Sequence, residues 1–174
     1  MERILLDEVV RTDYGQFDLT WAANGGFDGD FNRIFHGQVN GLVGAAHPSG
    51  VYVNLARRSG GSPVRIVLCD SPPDDDVMYQ DAVEVSIEIP PGVVPGWSSW
   101  AGESSGVLAD IAPGSYRLRV GARDRDAGRN GEFEEGMVDA YLLQLWPAPF
   151  EPDAILRVGS QDAAYWHQEV GNRR

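Results

Sequence analysis

Apolar and polar residues alternate along much of this chain. Over residues 82–89, every second residue is valine or isoleucine, and glutamate or serine stands between them. Because successive side chains of a β-strand point to opposite faces, this pattern predicts a strand with one face in a core and the other in water. The same alternation recurs over residues 14–21 and, after the turn signal Pro113-Gly114, over residues 115–123.

Shorter apolar segments extend this pattern to most of the chain. Strands are predicted at residues 37–45, 50–55, 63–69, 105–111 and 138–146. The strands at residues 50–55 and 63–69 are predicted to form a hairpin, because residues 57–62 between them have the composition of a flexible turn. The strand at residues 138–146 is apolar on both faces, as expected of a central strand that is covered on each side.

The order of these elements predicts the fold class. Only residues 161–170 have a helical pattern, and residues 170–174 are predicted to fray. About eight to nine strands with short loops predict a mainly β fold, a single-domain antiparallel β-sandwich over residues 1–174 with a short C-terminal helix. A chain of 174 residues can bury a core without disulfide bonds.

The charge of the chain restricts its partners. Twenty-six acidic residues against 14 basic ones, all arginine, give a formal net charge of -12 at pH 7. This charge repels a phosphate backbone, so direct nucleic-acid binding is not expected, and a basic protein partner is favoured. The alternative is that the excess of acids only keeps the protein in solution.

The expected compartment is the cytoplasm. The one cysteine, Cys69, cannot form an internal disulfide, which fits a reducing environment. Asp7 and Glu8 interrupt the apolar run near the N-terminus, so a signal peptide is not predicted, and no segment has the length of apolar sequence that a membrane span needs.

Catalysis and a cofactor are not predicted. The histidines, His36, His47 and His167, stand alone, and no motif places a nucleophile beside a base and an orienting group. Gly60-Gly61 lacks the lysine and helix of a phosphate-binding loop.

A calcium loop is a weak alternative at residues 124–135. Asp124, Asp126 and Glu135 occupy its first, third and twelfth positions, but Arg129 stands at the sixth, where the sharp turn requires glycine. The competing interpretation is a polar loop that turns at Asn130-Gly131 between two strands.

The strongest candidate for a partner site is a run of acids after the strand at residues 63–69. We hypothesise that the carboxylates of this run mimic phosphates toward a basic nuclease or toxin. Two tryptophans later in the chain are candidates for the same contact surface. The alternative is that the acids only repel one another and stay solvated. The candidate residues are Asp70, Asp74, Asp75, Asp76, Asp81, Trp97 and Trp100.

Two other functional classes remain open from the sequence. A module that binds a small ligand or a carbohydrate would use the aromatic faces of Tyr52, Trp97, Trp100 and Trp146, although single aromatic residues more often pack in a core. A structural subunit would self-associate.

Several segments are distinctive in order and composition. They are Thr12-Asp13-Tyr14-Gly15-Gln16-Phe17-Asp18-Leu19, the alternating residues 83–89, Pro113-Gly114-Ser115-Tyr116-Arg117-Leu118, and Asp139-Ala140-Tyr141-Leu142-Leu143 after an acidic loop. In this order the chain resembles the competence-protein-J family, small bacterial proteins that inhibit the DNA-entry nuclease. The resemblance covers about residues 10–146.

The resemblance implies an acidic sandwich that blocks a nuclease by presenting carboxylates to its substrate groove, with Asp74, Asp75 and Asp76 as first candidates. The chain departs from the family by an insertion around residues 22–39 and by the tail after Trp146. It is also similar, through Val138 to Ala148 and Ala163-Ala164-Tyr165-Trp166-His167, to a group of proteins from GC-rich bacteria. That likeness is the closer of the two and implies no activity.

Overall fold

The described part of the chain folds into two packed β-sheets and three short α-helices. The computed structural model describes residues 1–21 and 29–174, and Thr12 without its side chain. The strands are β1 (Glu2–Asp13), β2 (Gln16–Thr20), β3 (Val43–Gly44), β4 (Gly50–Asn54), β5 (Ser59–Cys69), β6 (Asp81–Ile89), β7 (Gly96–Ser99), β8 (Ser105–Val107), β9 (Gly114–Arg123), β10 (Ala140–Pro147) and β11 (Ala154–Arg157). The helices are α1 (Phe31–Ile34), α2 (Arg125–Asn130) and α3 (Gln161–Glu169).

The predicted mainly β sandwich is confirmed. Sheet A has the strand order β1-β5-β10-β9-β6-β11, and sheet B the order β3-β4-β2-β7-β8. The inner faces of both sheets meet in one core, to which sheet A contributes Val85, Leu118 and Leu143 and sheet B contributes Phe17 and Val53. The alternation over residues 82–89 is therefore that of a strand whose valines and isoleucines point inward.

The predicted hairpin between residues 50–55 and 63–69 is wrong. Strand β4 pairs with β2 and β3 in sheet B, whereas β5 pairs with β1 and β10 in sheet A. Both edges of each strand are already filled, so the connection carries the chain from one layer of the sandwich to the other. The pairings among the described strands are antiparallel, as predicted, except that β5 and β10 run parallel, with Tyr141 opposite Val64.

The predicted strand at residues 37–45 is mostly a turn held by side chains. The Oδ1 atom of Asn40 accepts hydrogen bonds from the backbone N–H groups of Leu42 and Val43, at 3.0 and 2.8 Å. Nε2 of Gln38 donates to the carbonyl of Val43 at 2.7 Å, and Oε1 of Gln38 accepts from the N–H of Ala45 at 2.7 Å. These bonds take the place of ladder partners, and only Val43–Gly44 pairs as a strand.

Strand β10 is the predicted central strand. Leu143 and Leu145 point into the core between the sheets. On the outer face of sheet A, Leu142 and Trp146 form a second buried cluster with Cys69. Both faces of β10 are covered, which explains why its sequence is apolar except at the buried Gln144.

The C-terminal segment covers the outer face of sheet B. It contains α3, which confirms the predicted C-terminal helix. Helix α3 packs close to Gly41, where a Cβ atom would lie 1.9 Å from the carbonyl oxygen of Trp166. Residues 170–174 are not frayed, because the N–H groups of Asn172 and Arg173 donate to the backbone carbonyls of Val39 and Gln38, at 3.0 and 2.7 Å.

The insertion around residues 22–39 is described only in part. Residues 22–28 lie outside the described residues. Asp30 then caps α1 by accepting hydrogen bonds from the N–H groups of Asn32 and Arg33, at 3.1 and 3.3 Å. No helix in the described part of the chain has the length and apolar character to cross a membrane.

Candidate functional site

The run of acids lies on a loop that two arginines hold in place. We call residues 70–80, between β5 and β6, the acidic loop. Arg119 donates to the carbonyl of Pro73 at 3.1 Å, and Arg157 donates to the carbonyl of Asp76 at 3.0 Å. Both bonds go to the backbone of the loop and hold it against sheet A.

Arg119 is itself positioned by neighbours on sheet A. Its Nε donates to Oε1 of Glu84 at 2.9 Å, and its guanidinium lies 5.3 Å from the centre of the Trp146 ring. The other carboxylate oxygen of Glu84 accepts from Nε of Arg117 at 3.1 Å. Trp146 is therefore a buried support beneath an arginine and does not offer a free face to a sugar.

The carboxylates of the acidic loop point to solvent. Asp74, Asp75 and Asp76 are exposed, and Asp75 also pairs with Arg157. Asp76 accepts from the N–H of Met78 at 3.0 Å, which orders the turn that follows. Val77 and Met78 are exposed as well, so apolar and acidic side chains lie together on this loop.

The first acid of the loop is tied to the chain start. Asp70 is exposed and forms an ion pair with the N-terminal ammonium of Met1 at 3.0 Å. Exposed pairs of this kind stabilise a protein little. Asp70 thus stays accessible beside the other carboxylates.

Two of the seven candidate residues are buried and do not belong to this surface. Asp81 is fully buried, and its carboxylate accepts from the N–H of Gly159 at 2.8 Å and from the hydroxyl of Ser160 at 2.6 Å. Trp97 is 7% exposed and stacks on Phe17 at 5.8 Å between ring centres. Asp81 joins β6 to the start of α3, and Trp97 is a core residue.

Trp100 is accessible but lies on the other sheet. It is 38% exposed, and its ring centre is 4.9 Å from that of Tyr14, at the end of sheet B. The acidic loop instead contacts outward-facing arginines of sheet A. The hypothesised partner surface is therefore reduced to Asp70, Asp74, Asp75 and Asp76, without the tryptophans.

The structure does not gather the residues of the calcium alternative. Residues 125–130 form helix α2. Asp126 caps α3 by accepting from the N–H groups of Gln161 and Asp162, at 3.0 and 2.8 Å, and Asp124 lies 3.5 Å from Arg123. Glu135 is exposed on a following loop, and no three acidic, histidine or cysteine side chains among the described residues are grouped to hold a metal ion.

A second acidic loop was missed by the sequence reasoning. Residues 132–137 carry Glu132, Glu134 and Glu135 beside the exposed Phe133. The buried Arg57 holds this loop by donating to the carbonyls of Glu134 and Gly136, the latter at 2.7 Å. The signal present in the sequence is the density of acids around Phe133.

An open cavity of about 390 Å³ lies on the outer face of sheet B. We call it the aromatic pocket, because six aromatic side chains from distant parts of the chain line it. It brings together two of the four residues considered for sugar binding, Tyr52 and Trp100. Its lining includes Tyr14, Phe31, Tyr52, Asn54, Arg58, Trp100, Arg129, Asp162, Tyr165 and Trp166.

A buried ion pair lies beside the aromatic pocket, which Asp162 lines. Arg125 is 1% exposed, and its guanidinium donates to Asp162 through Nε at 2.9 Å and to the backbone carbonyl of Asn54 at 2.7 Å. These contacts join α2, α3 and β4. The carboxylate of Asp162 is therefore neutralised from within the protein.

Asp18 is a buried carboxyl on the outward side of β2. It is 2% exposed, it accepts from Nε2 of Gln16 at 2.6 Å, and its Oδ1 has no hydrogen-bond partner in the described part of the chain. Burial raises the pKa of Asp18 to about 7, and the bond from Gln16 opposes this rise. Burial of the neighbouring Tyr52 likewise raises the pKa of its hydroxyl.

Two of the histidines, His167 and His47, accept hydrogen bonds from backbone N–H groups. The buried His167 accepts from the N–H of Gly41 through Nδ1 at 3.0 Å, and burial lowers its pKa. His47 accepts from the N–H of Ser49 at 3.2 Å. Both bonds position the backbone of loops that flank sheet B.

Comparison with known proteins identifies the fold. No protein-family model and no curated protein sequence matches the chain. Its structure superposes on the crystal structure of ComJ from Bacillus subtilis, an inhibitor of the DNA-degrading activity of NucA, with a TM-score of 0.57. The protein has a ComJ-like fold. The match covers 85% of this chain and 99% of ComJ, at 16% identity.

A second solved structure shares the ComJ-like fold. It is described as crocagin biosynthetic gene J, and it matches with a TM-score of 0.56 and 16% identity over 86% of this chain and 99% of its own. The resemblance stated from the sequence is thereby confirmed for the fold. This chain also carries residues beyond the part that it shares with either neighbour.

Proposed function

We propose that this protein binds a basic nuclease and inhibits it through the acidic loop. The observation that carries the proposal is the ComJ-like fold, because ComJ is an inhibitor of a DNA-degrading nuclease. The net charge of -12 supports it, since a nuclease that binds DNA presents positive charge around its substrate groove.

The acidic loop has the features of a pre-organised binding surface. Arg119 and Arg157 hold its backbone, so little conformational entropy is lost when Asp74 and Asp76 meet a partner. The exposed Val77 and Met78 supply apolar area next to the charges. In this arrangement the carboxylates direct a basic partner to the loop, and the apolar pair is buried on contact.

The test is inhibition of DNA cleavage by basic proteins of the source cells. Proteins retained on a cation-exchange column are assayed for cleavage of double-stranded plasmid, with and without the purified protein. We expect the wild-type protein to suppress one cleaving activity. The triple variant Asp74→Asn, Asp75→Asn, Asp76→Asn should need a concentration about 10 to 100 times higher, because each lost charge weakens a contact with the cationic groove.

The second acidic loop provides a matched control. The variant Glu132→Gln, Glu134→Gln, Glu135→Gln removes the same number of charges elsewhere and should inhibit like the wild type. If this variant loses inhibition while the Asp74 to Asp76 variant keeps it, the contact surface is the second loop and our assignment is wrong. If no cleaving fraction responds to the wild-type protein, the proposed function itself is wrong.

A further inference from the structure

We propose that the aromatic pocket binds a small aromatic carboxylate. The pocket is independent of the acidic loop, since it lies on the outer face of sheet B while the loop crosses sheet A. Its volume of about 390 Å³ lies within the range of small-molecule sites. A ring system of one or two fused rings fits such a space.

The walls of the pocket are suited to a planar ring. Tyr14 and Trp100 contact each other at 4.9 Å between ring centres on one side, and Tyr165 and Trp166 contact each other at 5.2 Å on another. All four rings line the pocket. Aromatic faces at different angles favour stacked or edge-to-face contact with an aromatic ligand.

Strained backbone fixes the first of these pairs. Tyr14 has a φ of 58° and Ala101, next to Trp100, a φ of 53°, which is the left-handed region that non-glycine residues rarely adopt. Such conformations persist only where the surrounding structure imposes them, and they cluster at ligand sites. These two turns bring the rings of Tyr14 and Trp100 together at the rim of the pocket.

A buried donor in the pocket has no acceptor. Asn54 is 4% exposed and lines the pocket, yet its Nδ2 atom has no hydrogen-bond partner among the described residues. An unsatisfied buried donor destabilises a protein by roughly 1–3 kcal/mol, so such groups call for an explanation. This Nδ2 atom is covered by the protein, so a ligand oxygen would satisfy it after a small shift of the Asn54 side chain.

The charges at the pocket favour an anion in spite of the acidic composition of the protein. Arg58 and Arg129 line the pocket and are exposed. Within the described residues no carboxylate lies within ion-pair distance of Arg58, and Arg129 is 3.9 Å from Asp162, which Arg125 already neutralises. Guanidinium groups bind carboxylates through paired hydrogen bonds, so a carboxylate on the ligand matches these cations and the Asn54 amide.

Titration with 1-naphthoate and with its neutral isostere 1-naphthamide tests the proposal. Calorimetry gives the affinities, and 1H–15N spectra show where each compound binds. We expect 1-naphthoate to bind at submillimolar concentration, to shift the side-chain amide signal of Asn54 and the indole signal of Trp100, and to bind about 10 times more tightly than 1-naphthamide.

Two variants and a matched control identify the contacts. Arg58→Gln, an exposed substitution that leaves the core intact, should weaken 1-naphthoate binding about 10-fold, and Asn54→Ala should weaken it by a similar factor. Arg11→Gln removes an exposed charge that does not line the pocket and should change nothing. Inhibition of DNA cleavage should be unaffected by Arg58→Gln, so this proposal and the nuclease proposal can fail separately.

Four results would overturn the proposal. They are equal affinity for 1-naphthoate and 1-naphthamide, spectral shifts confined to residues outside the pocket, absence of binding at several millimolar, and pocket shifts caused by a neutral sugar such as glucose in place of the carboxylate. The last result would instead support carbohydrate binding through Tyr52 and Trp100.

Discussion

Replacing Arg125 by methionine should lower the free energy of unfolding by about 3–5 kcal/mol. The substitution removes the guanidinium that joins α2 to α3 and β4, and it leaves the carboxylate of Asp162 buried without its partner. An unpaired buried charge destabilises the folded state more than the ion pair stabilises it, because the carboxylate has lost its hydration and has no cation beside it in return. Urea unfolding followed by circular dichroism measures the change.

The double variant Arg125→Met, Asp162→Leu separates the charge from the packing. If the unpaired carboxylate causes the loss, this double variant should recover most of it, because two apolar side chains can replace a buried ion pair. Arg123→Gln, which removes an exposed arginine on the adjacent strand end, should change stability by less than about 0.5 kcal/mol. A loss below about 1 kcal/mol for Arg125→Met would show that this ion pair does not hold the helices to sheet B.

Replacing Asp18 by asparagine should stabilise the protein at alkaline pH. The pKa of the buried carboxyl is raised from an ordinary value of 3.8 to about 7, so the folded state binds a proton that the unfolded state has lost between these values. Stability therefore falls as the pH rises from about 4 to about 7 and stays low above that range. The rise in pKa corresponds to a destabilisation of about 4 kcal/mol, which is fully present above pH 7 and absent below pH 4.

The amide variant removes this titration while keeping the shape of the side chain. Asp18→Asn should gain up to about 4 kcal/mol over the wild type near pH 8.5 and much less near pH 5, as measured by urea unfolding at both values. Glu8→Gln, at an exposed carboxyl on β1, corrects for the general change in charge. A gain that does not depend on pH would mean that the carboxyl of Asp18 does not titrate in this range.

The sequence predicts the middle of sheet A well and its edge poorly. Residues 82–89 and 115–123 have one buried and one solvated face, so the period of two is visible in the sequence. Strand β1 lies at the edge of sheet A and exposes most of its side chains, among them Asp7 and Glu8, which interrupt its apolar run. Its twelve residues are recognised as a strand only once β5 is beside them.

The sequence shows the charge of the candidate residues but not their burial. The acids at residues 74–76 are exposed, as expected, whereas Asp81 starts a strand and serves as a buried acceptor. Trp97 and Trp100 were treated as a pair, although residues three apart on an extended chain point to opposite sides. The aromatic pocket could not be predicted, because Tyr14, Asn54 and Trp100 meet only through the sandwich packing.

The parallel pairing of β5 with β10 makes closure of the centre of sheet A a late step in folding. Tyr141 lies opposite Val64, so the centre of sheet A closes only when segments far apart in the chain have met. Contacts of this kind slow folding, because the chain loses the entropy of a long loop before any pairing compensates it. Until β10 arrives, β5 and β9 each expose an open edge, and during synthesis these edges can pair with another chain.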